Sequence, residues 1–129
     1  MKKIIKTVVI LCAAGVSGYA NADISKTLSG FCDLVEKNDK GQLRNKMRIV
    51  TSNYRLSLKD YYAGVSCNGN SLIRTALLSN AVEAGTLLVR MMPKSDLTAP
   101  EQDGLTLLTW ANQHGLQNSP IVRVIDERI

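Results

Sequence analysis

Ser66, Cys67 and Asn68 stand side by side in Val65-Ser66-Cys67-Asn68-Gly69. A hydroxyl, a thiol and a carboxamide in a row would suit nucleophilic chemistry if a base lay close by. The segment Gly64 to Asn68 falls short of a G-x-S-x-G elbow because Asn68 holds the place of the last glycine. No phosphate-cradling loop occurs either. His114 is the one histidine. It precedes Gly115 at an expected helix end, where a cation complements the helix dipole. No nucleophile or orienting group is placed beside it by the sequence, so it reads as structural or solvent-exposed. One histidine and one cysteine pair leave no zinc set. Asp33 with Glu36 and Asp126 with Glu127 are the tight carboxylate pairs. Each reads as solvated charge, since paired-acid hydrolysis needs the two acids across a cleft. No catalytic residue, metal or cofactor is therefore expected.

Binding chemistry is better represented. Lys40, Arg44 and Arg48 recur every four residues. That spacing aligns them on one helix face, opposite Leu43, Met47 and Val50. With Lys37, Lys46, Arg55 and Lys59 they face two acids, Asp39 and Asp60, over 37–60. Such a face suits an acidic protein or an anionic envelope component; the plainer alternative is an ordinary wet helix face. Trp110, Tyr54, Tyr61 and Tyr62 have the apolar body and polar tip of interface anchors. Core packing is the alternative for each.

Cys32 and Cys67 are the cysteines outside the first 22 residues. In an oxidising compartment an even pair reads as a disulfide. Two buried thiols or a redox pair are the alternatives, and the absence of C-x-x-C favours the structural bond. Closing that loop would stabilise a small domain by roughly 3–4 kcal/mol. Met1 to Ala22 supplies the compartment. Lys2, Lys3 and Lys6 precede an apolar core at Thr7 to Gly15, and Ala20-Asn21-Ala22 forms an A-x-A site. This is the layout of a secretory signal cleaved after Ala22, with a core too short for a permanent span of roughly 20 residues. The remaining chain, 23–129, is the size of a single domain. Removing the three lysines lowers the formal charge from +5 to +2, which does not support a nucleic-acid-binding protein.

The elements that position these residues read as helices. Leu28, Phe31, Cys32 and Val35 form one apolar stripe. Asp39 with Gln42 is a capping-box-like start for a helix from about Lys40 into the low fifties. Ser57-Leu58-Lys59-Asp60 favours a short helix, and Asn68-Gly69-Asn70 is turn chemistry. Leu72, Ile73, Ala76 and Leu77 carry the next stripe, and Asn80 with Glu83 resembles a further cap pair. Pro93 closes the run over Val82 to Met92. Residues 94–103 read as a polar linker, with a helical turn at Thr98 to Glu101. Helix resumes over Gly104 to Gly115, and Ser119-Pro120 starts the last one. Residues 86–92 and 121–125 also suit strands. The fold expected is mostly α, with a small α+β domain as the alternative.

A repeat organises the later half. Gly69, Ser71, Ile73 and Ala76 return 35 residues on as Gly104, Thr106, Leu108 and Ala111, and Asn80 and Gly115 follow at equal distances. A degenerate earlier unit lies at Ser29 to Leu43, with Asn38 in the place of Asn80. The pattern resembles the ankyrin repeat, whose units carry Gly-x-Thr-Pro-Leu-His-x-Ala. Leu72 and Arg74, and Leu107 and Thr109, hold its proline and histidine places. That resemblance implies stacked helix-turn-helix units. Phe31-Cys32 followed by Cys67-Asn68-Gly69 also resembles a family of small exported gammaproteobacterial proteins, known as a domain of unknown function with a Cys-Asn-Gly motif. It would cover about Gly30 to Met92 and implies export and a disulfide, without chemistry.

The function expected is a periplasmic, monomeric, non-enzymatic binding protein. Lys40, Arg44, Arg48 and Trp110 are its candidate contacts, Asn68 and Gly69 its motif turn, and Cys32 and Cys67 its staple. A small hydrolase or redox accessory protein and a structural or stress-related envelope protein are the alternatives.

Overall fold

The computed structural model describes residues 26–129. The expected signal segment and its cleavage site lie outside the described residues. A unit boundary falls between Gly30 and Phe31. Before it, residues 26–30 are helical, and Ser29 Oγ donates to the Lys26 carbonyl. The unit after it holds every feature discussed below.

It begins with helical residues 31–36 (α1). Asp39 Oδ1 then accepts from the Gln42 amide at 3.2 Å and starts α2, Lys40–Tyr54, which buries Leu43, Met47 and Val50. Ser57 and Asp60 form the expected capping box of α3, Leu58–Tyr61, followed by a 3-10 turn at Tyr62–Gly64. The Ser57 amide, donating to Asp60, holds that carboxyl below its ordinary range. Ser71 and Thr106 cap α4, Leu72–Ser79, and the later α7, Leu107–Gln113, each accepting from the amide three residues on. Between them run α5, Val82–Met91, and α6, Lys94–Thr98. Ser119 and Pro120 open α8, Pro120–Arg128.

Residues 86–91 and 121–125 are thus helical. The described residues contain no strand, and the sole bridge joins Cys67 and Asn70. Three expectations need correction. The helical turn in the linker forms at Lys94–Thr98, ahead of Thr98 to Glu101, because Leu97 there is 1% exposed and anchors it to the core. Helix α7 starts at Leu107, since Gly104 has a φ of +83° and belongs to the turn before it. At Asn80 the helical run does break and restart as expected, with Asn80 in the left-handed region, but no side chain of its own segment caps α5.

Three elbows share one geometry. Asn38, Asn80 and Gly115 have φ of 57°, 52° and 71°. The residue after each donates its amide five residues back, Asp39 to Leu34, Ala81 to Ala76 and Leu116 to Ala111, at 2.9, 2.9 and 2.8 Å. This is the bond pattern of a left-handed helix stop, which asparagine and glycine tolerate best. Each elbow turns one helix into the next, giving the pairs α1–α2, α4–α5 and α7–α8. Second helices pack in a row, α2 on α5 and α5 on α8, while α4 packs on α7. At the centre, a Cβ on Gly85 would lie 2.5 Å from Ile121 Cδ1. The missing side chain is what lets α8 approach α5 so closely.

Candidate functional site

The two described cysteines and the histidine each make a structural contact. Cys32 and Cys67 are joined, with Cα atoms 5.5 Å apart. Asn68 and Gly69 follow at φ of 53° and 86°. Cys67 and Asn70 exchange backbone hydrogen bonds of 2.7 and 3.0 Å across them, as in a tight hairpin turn with two left-handed residues. The Cys-Asn-Gly segment is therefore a stapled turn leading into α4. The ring of His114 stacks on Trp110 with centroids 4.2 Å apart, and its Nδ1 lies 2.9 Å from the Trp110 carbonyl. Asp33 pairs with Lys37 at 3.0 Å, both exposed, and Asp126 and Glu127 lie at the surface. Among the described residues no group of three His, Cys, Asp or Glu could hold a metal.

Arg74 forms the most elaborate polar cluster. Its guanidinium bonds Asp103 bidentately at 2.8 and 3.0 Å and donates to the Leu105 carbonyl at 3.1 Å. Its Nε lies 2.9 Å from Glu101 Oε1. The other Glu101 oxygen accepts from the Tyr62 hydroxyl at 2.7 Å, and Ser71 Oγ lies 2.9 Å from that hydroxyl. Arg74 also covers the Trp110 ring at 5.0 Å. The bonds to Arg74 hold the Asp103 carboxyl down at about 2, and those to Asp103 raise the guanidinium further. Burial, reinforced by the Glu101 charge, keeps the Tyr62 phenol protonated. A cavity of about 640 Å³ borders these groups. The terminal guanidinium nitrogens are hydrogen-bonded, while Nε approaches Glu101 as an ion pair without hydrogen-bond geometry; the cluster is a clamp between α4 and the turn that precedes α7. Sequence reasoning missed it; the signal was a lone arginine inside the apolar run Leu72 to Leu77.

Trp110 lies under that clamp and is 4% exposed. The packed alternative therefore holds for it, and it is not a surface anchor: its place next to Ala111 points it toward the neighbouring helix pair. Tyr61 and Tyr62 are buried as well.

The basic helix face is present and open. Lys40, Arg44 and Arg48 all lie on α2 and are exposed. Three of the other cations of the segment are engaged, and Arg55 has no ion pair among the described residues. Lys37 and Lys59 pair with Asp33 and Asp60, and Lys46 lies 6.0 Å from the centroid of the Phe31 ring. Among the described residues no carboxylate lies within ion-pair distance of Lys40, Arg44 or Arg48. Arg44 and Arg48 further line a groove of about 560 Å³, whose walls include Met47 of α2, Leu58 and Tyr61 of α3, and Leu87 and Met91 of α5. No acidic side chain lines it. The groove was not readable in the sequence because its walls come from three separate helices.

Among the described residues no helix is long and apolar enough to cross a membrane. Compared with known families, residues 31–99 match the one described as "Protein of unknown function (DUF3718)". No curated protein and no solved structure matches the chain.

Proposed function

The chain belongs to the DUF3718 family, described as proteins of unknown function, and on that footing we propose that it is an exported, non-enzymatic protein that binds an anionic partner along the Lys40, Arg44 and Arg48 edge of α2. The observation that carries this reading is that these three exposed cations lack carboxylate partners among the described residues, while Lys37 and Lys59 beside them are neutralised. Cations left open on one helix edge hold a positive potential that raises the local concentration of anions. The planar forks of Arg44 and Arg48 suit carboxylate and phosphate oxygens in particular.

A binding role is supported by how the reactive groups are used. Both described thiols are spent in a disulfide, and the histidine ring rests on Trp110. Three helix pairs with equal elbows make a stiff, ankyrin-like support on which the basic edge keeps its spacing. Export to the periplasm is supported by the disulfide, which persists in oxidising compartments, and by the signal-like layout of residues 1–22. The test is the salt dependence of polyanion binding, compared between the native chain and a variant with all three cations changed to glutamine.

A further inference from the structure

We propose that the groove between α2, α3 and α5 binds a single-chain fatty carboxylate, with its head at Arg44 and Arg48 and its chain against Met47, Leu87 and Met91. This deepens the anionic-partner reading and rests on it.

Charge, shape and an unmet hydrogen bond point to that ligand. The charged residues lining the groove are two arginines without carboxylate partners among the described residues, so the head must be an anion. The remaining wall is largely apolar, and Met91 is 52% exposed on its lip. A large thioether side chain left in water beside two cations is what an amphipathic molecule would cover, and methionine adapts well to a flexible chain. A volume of about 560 Å³ falls within the roughly 300–1,000 Å³ of small-molecule sites.

Tyr61 supplies the independent observation. It lines the groove, is 5% exposed, and its hydroxyl has no hydrogen-bond partner. Its neighbour in sequence, Tyr62, has two partners for the same group. A buried hydroxyl donor left unmet is rare in a folded protein and marks a place where an acceptor belongs. That hydroxyl is closed to solvent, so a carboxylate head that accepts from it has to displace the wall above it.

Calorimetric titration of the full, disulfide-intact chain with decanoate below its micelle-forming concentration tests the proposal. Decanoate should bind, with acetate inert and decyltrimethylammonium at least tenfold weaker. Affinity should rise about two- to fourfold per methylene from octanoate to dodecanoate, as burial of a chain requires. The double change Arg44→Gln with Arg48→Gln should weaken decanoate at least tenfold. Met91→Glu should do the same with an unchanged urea midpoint, because that residue is half exposed. Tyr61→Phe should weaken binding about threefold or more. Equal binding of decanoate and decyltrimethylammonium would overturn the proposal, as would binding to phosphatidylglycerol vesicles without binding to decanoate. A chain that binds polyphosphate but not decanoate would remove the fatty ligand and leave the basic edge standing. Failure with both probes would remove the two readings together.

Discussion

The side-chain carbonyl of Asn38 accepts a 2.9 Å hydrogen bond from the backbone amide of Ala84, closing the start of α5 from 46 residues away. The Asn38 amide nitrogen also donates to Glu83. One residue thus serves as the left-handed elbow of the first helix pair and as the cap of the second pair's outer helix. Asn38→Gly keeps the elbow and loses the cap, at a cost of about 1 kcal/mol. Asn38→Ala loses both and should cost about 2 kcal/mol, since alanine resists a positive φ by a further 1 kcal/mol or so. Urea midpoints of the two variants measure the difference.

Gly85 and Ile121 set the distance between the second and third pairs. With a Cβ 2.5 Å from Ile121 Cδ1 and 2.9 Å from its Cγ1, Gly85→Ala should destabilise the fold by about 1–3 kcal/mol despite alanine's better helix propensity. Adding Ile121→Val removes the nearer atom and should restore part of that loss. A double-mutant cycle from thermal or urea unfolding reads the coupling.

These two contacts show where the sequence was readable and where it was not. Asp39 with Gln42, Ser57 with Asp60, and Ser119-Pro120 announce their helices because each signal and its partner sit within one turn. Asn38, Asn80 and Gly115 announce the elbows because a left-handed residue is a local requirement. The cap on Ala84, the seat of Ile121 on Gly85, the Arg74 clamp and the groove depend on residues distant in the chain. Gly85 gave a trace of this, as a glycine placed inside a helix against its propensity. Arg74 gave another, as a charge among apolar neighbours.

The Arg74–Asp103 pair carries a pH signature. Asp103 has its folded value lowered from 3.8 to about 2, so its contribution is complete above about pH 4 and is lost as pH falls toward 2. The acid limb of stability against pH should therefore flatten in Asp103→Asn over that range. Unfolding midpoints collected between about pH 2 and 5 for the two proteins provide the comparison.

The staple between Cys32 and Cys67 closes a loop across 35 positions. Its reduction should lower stability by about 3–4 kcal/mol on the chain-entropy account, with the same loss in Cys32→Ser combined with Cys67→Ser. Unfolding curves with and without reductant give the size of the effect. Intact mass before and after alkylation identifies the bond.

On the proposed function, Lys40, Arg44 and Arg48 form one open edge for an anionic partner. Its most direct measurement is the dissociation constant for polyphosphate as a function of salt, in the native chain and in the variant with Lys40, Arg44 and Arg48 all changed to glutamine. Native binding should weaken steadily as salt screens the three charges, and the variant should bind at least tenfold more weakly with a flatter salt dependence. A variant that binds as tightly as the native chain, with the same salt dependence, would contradict the account.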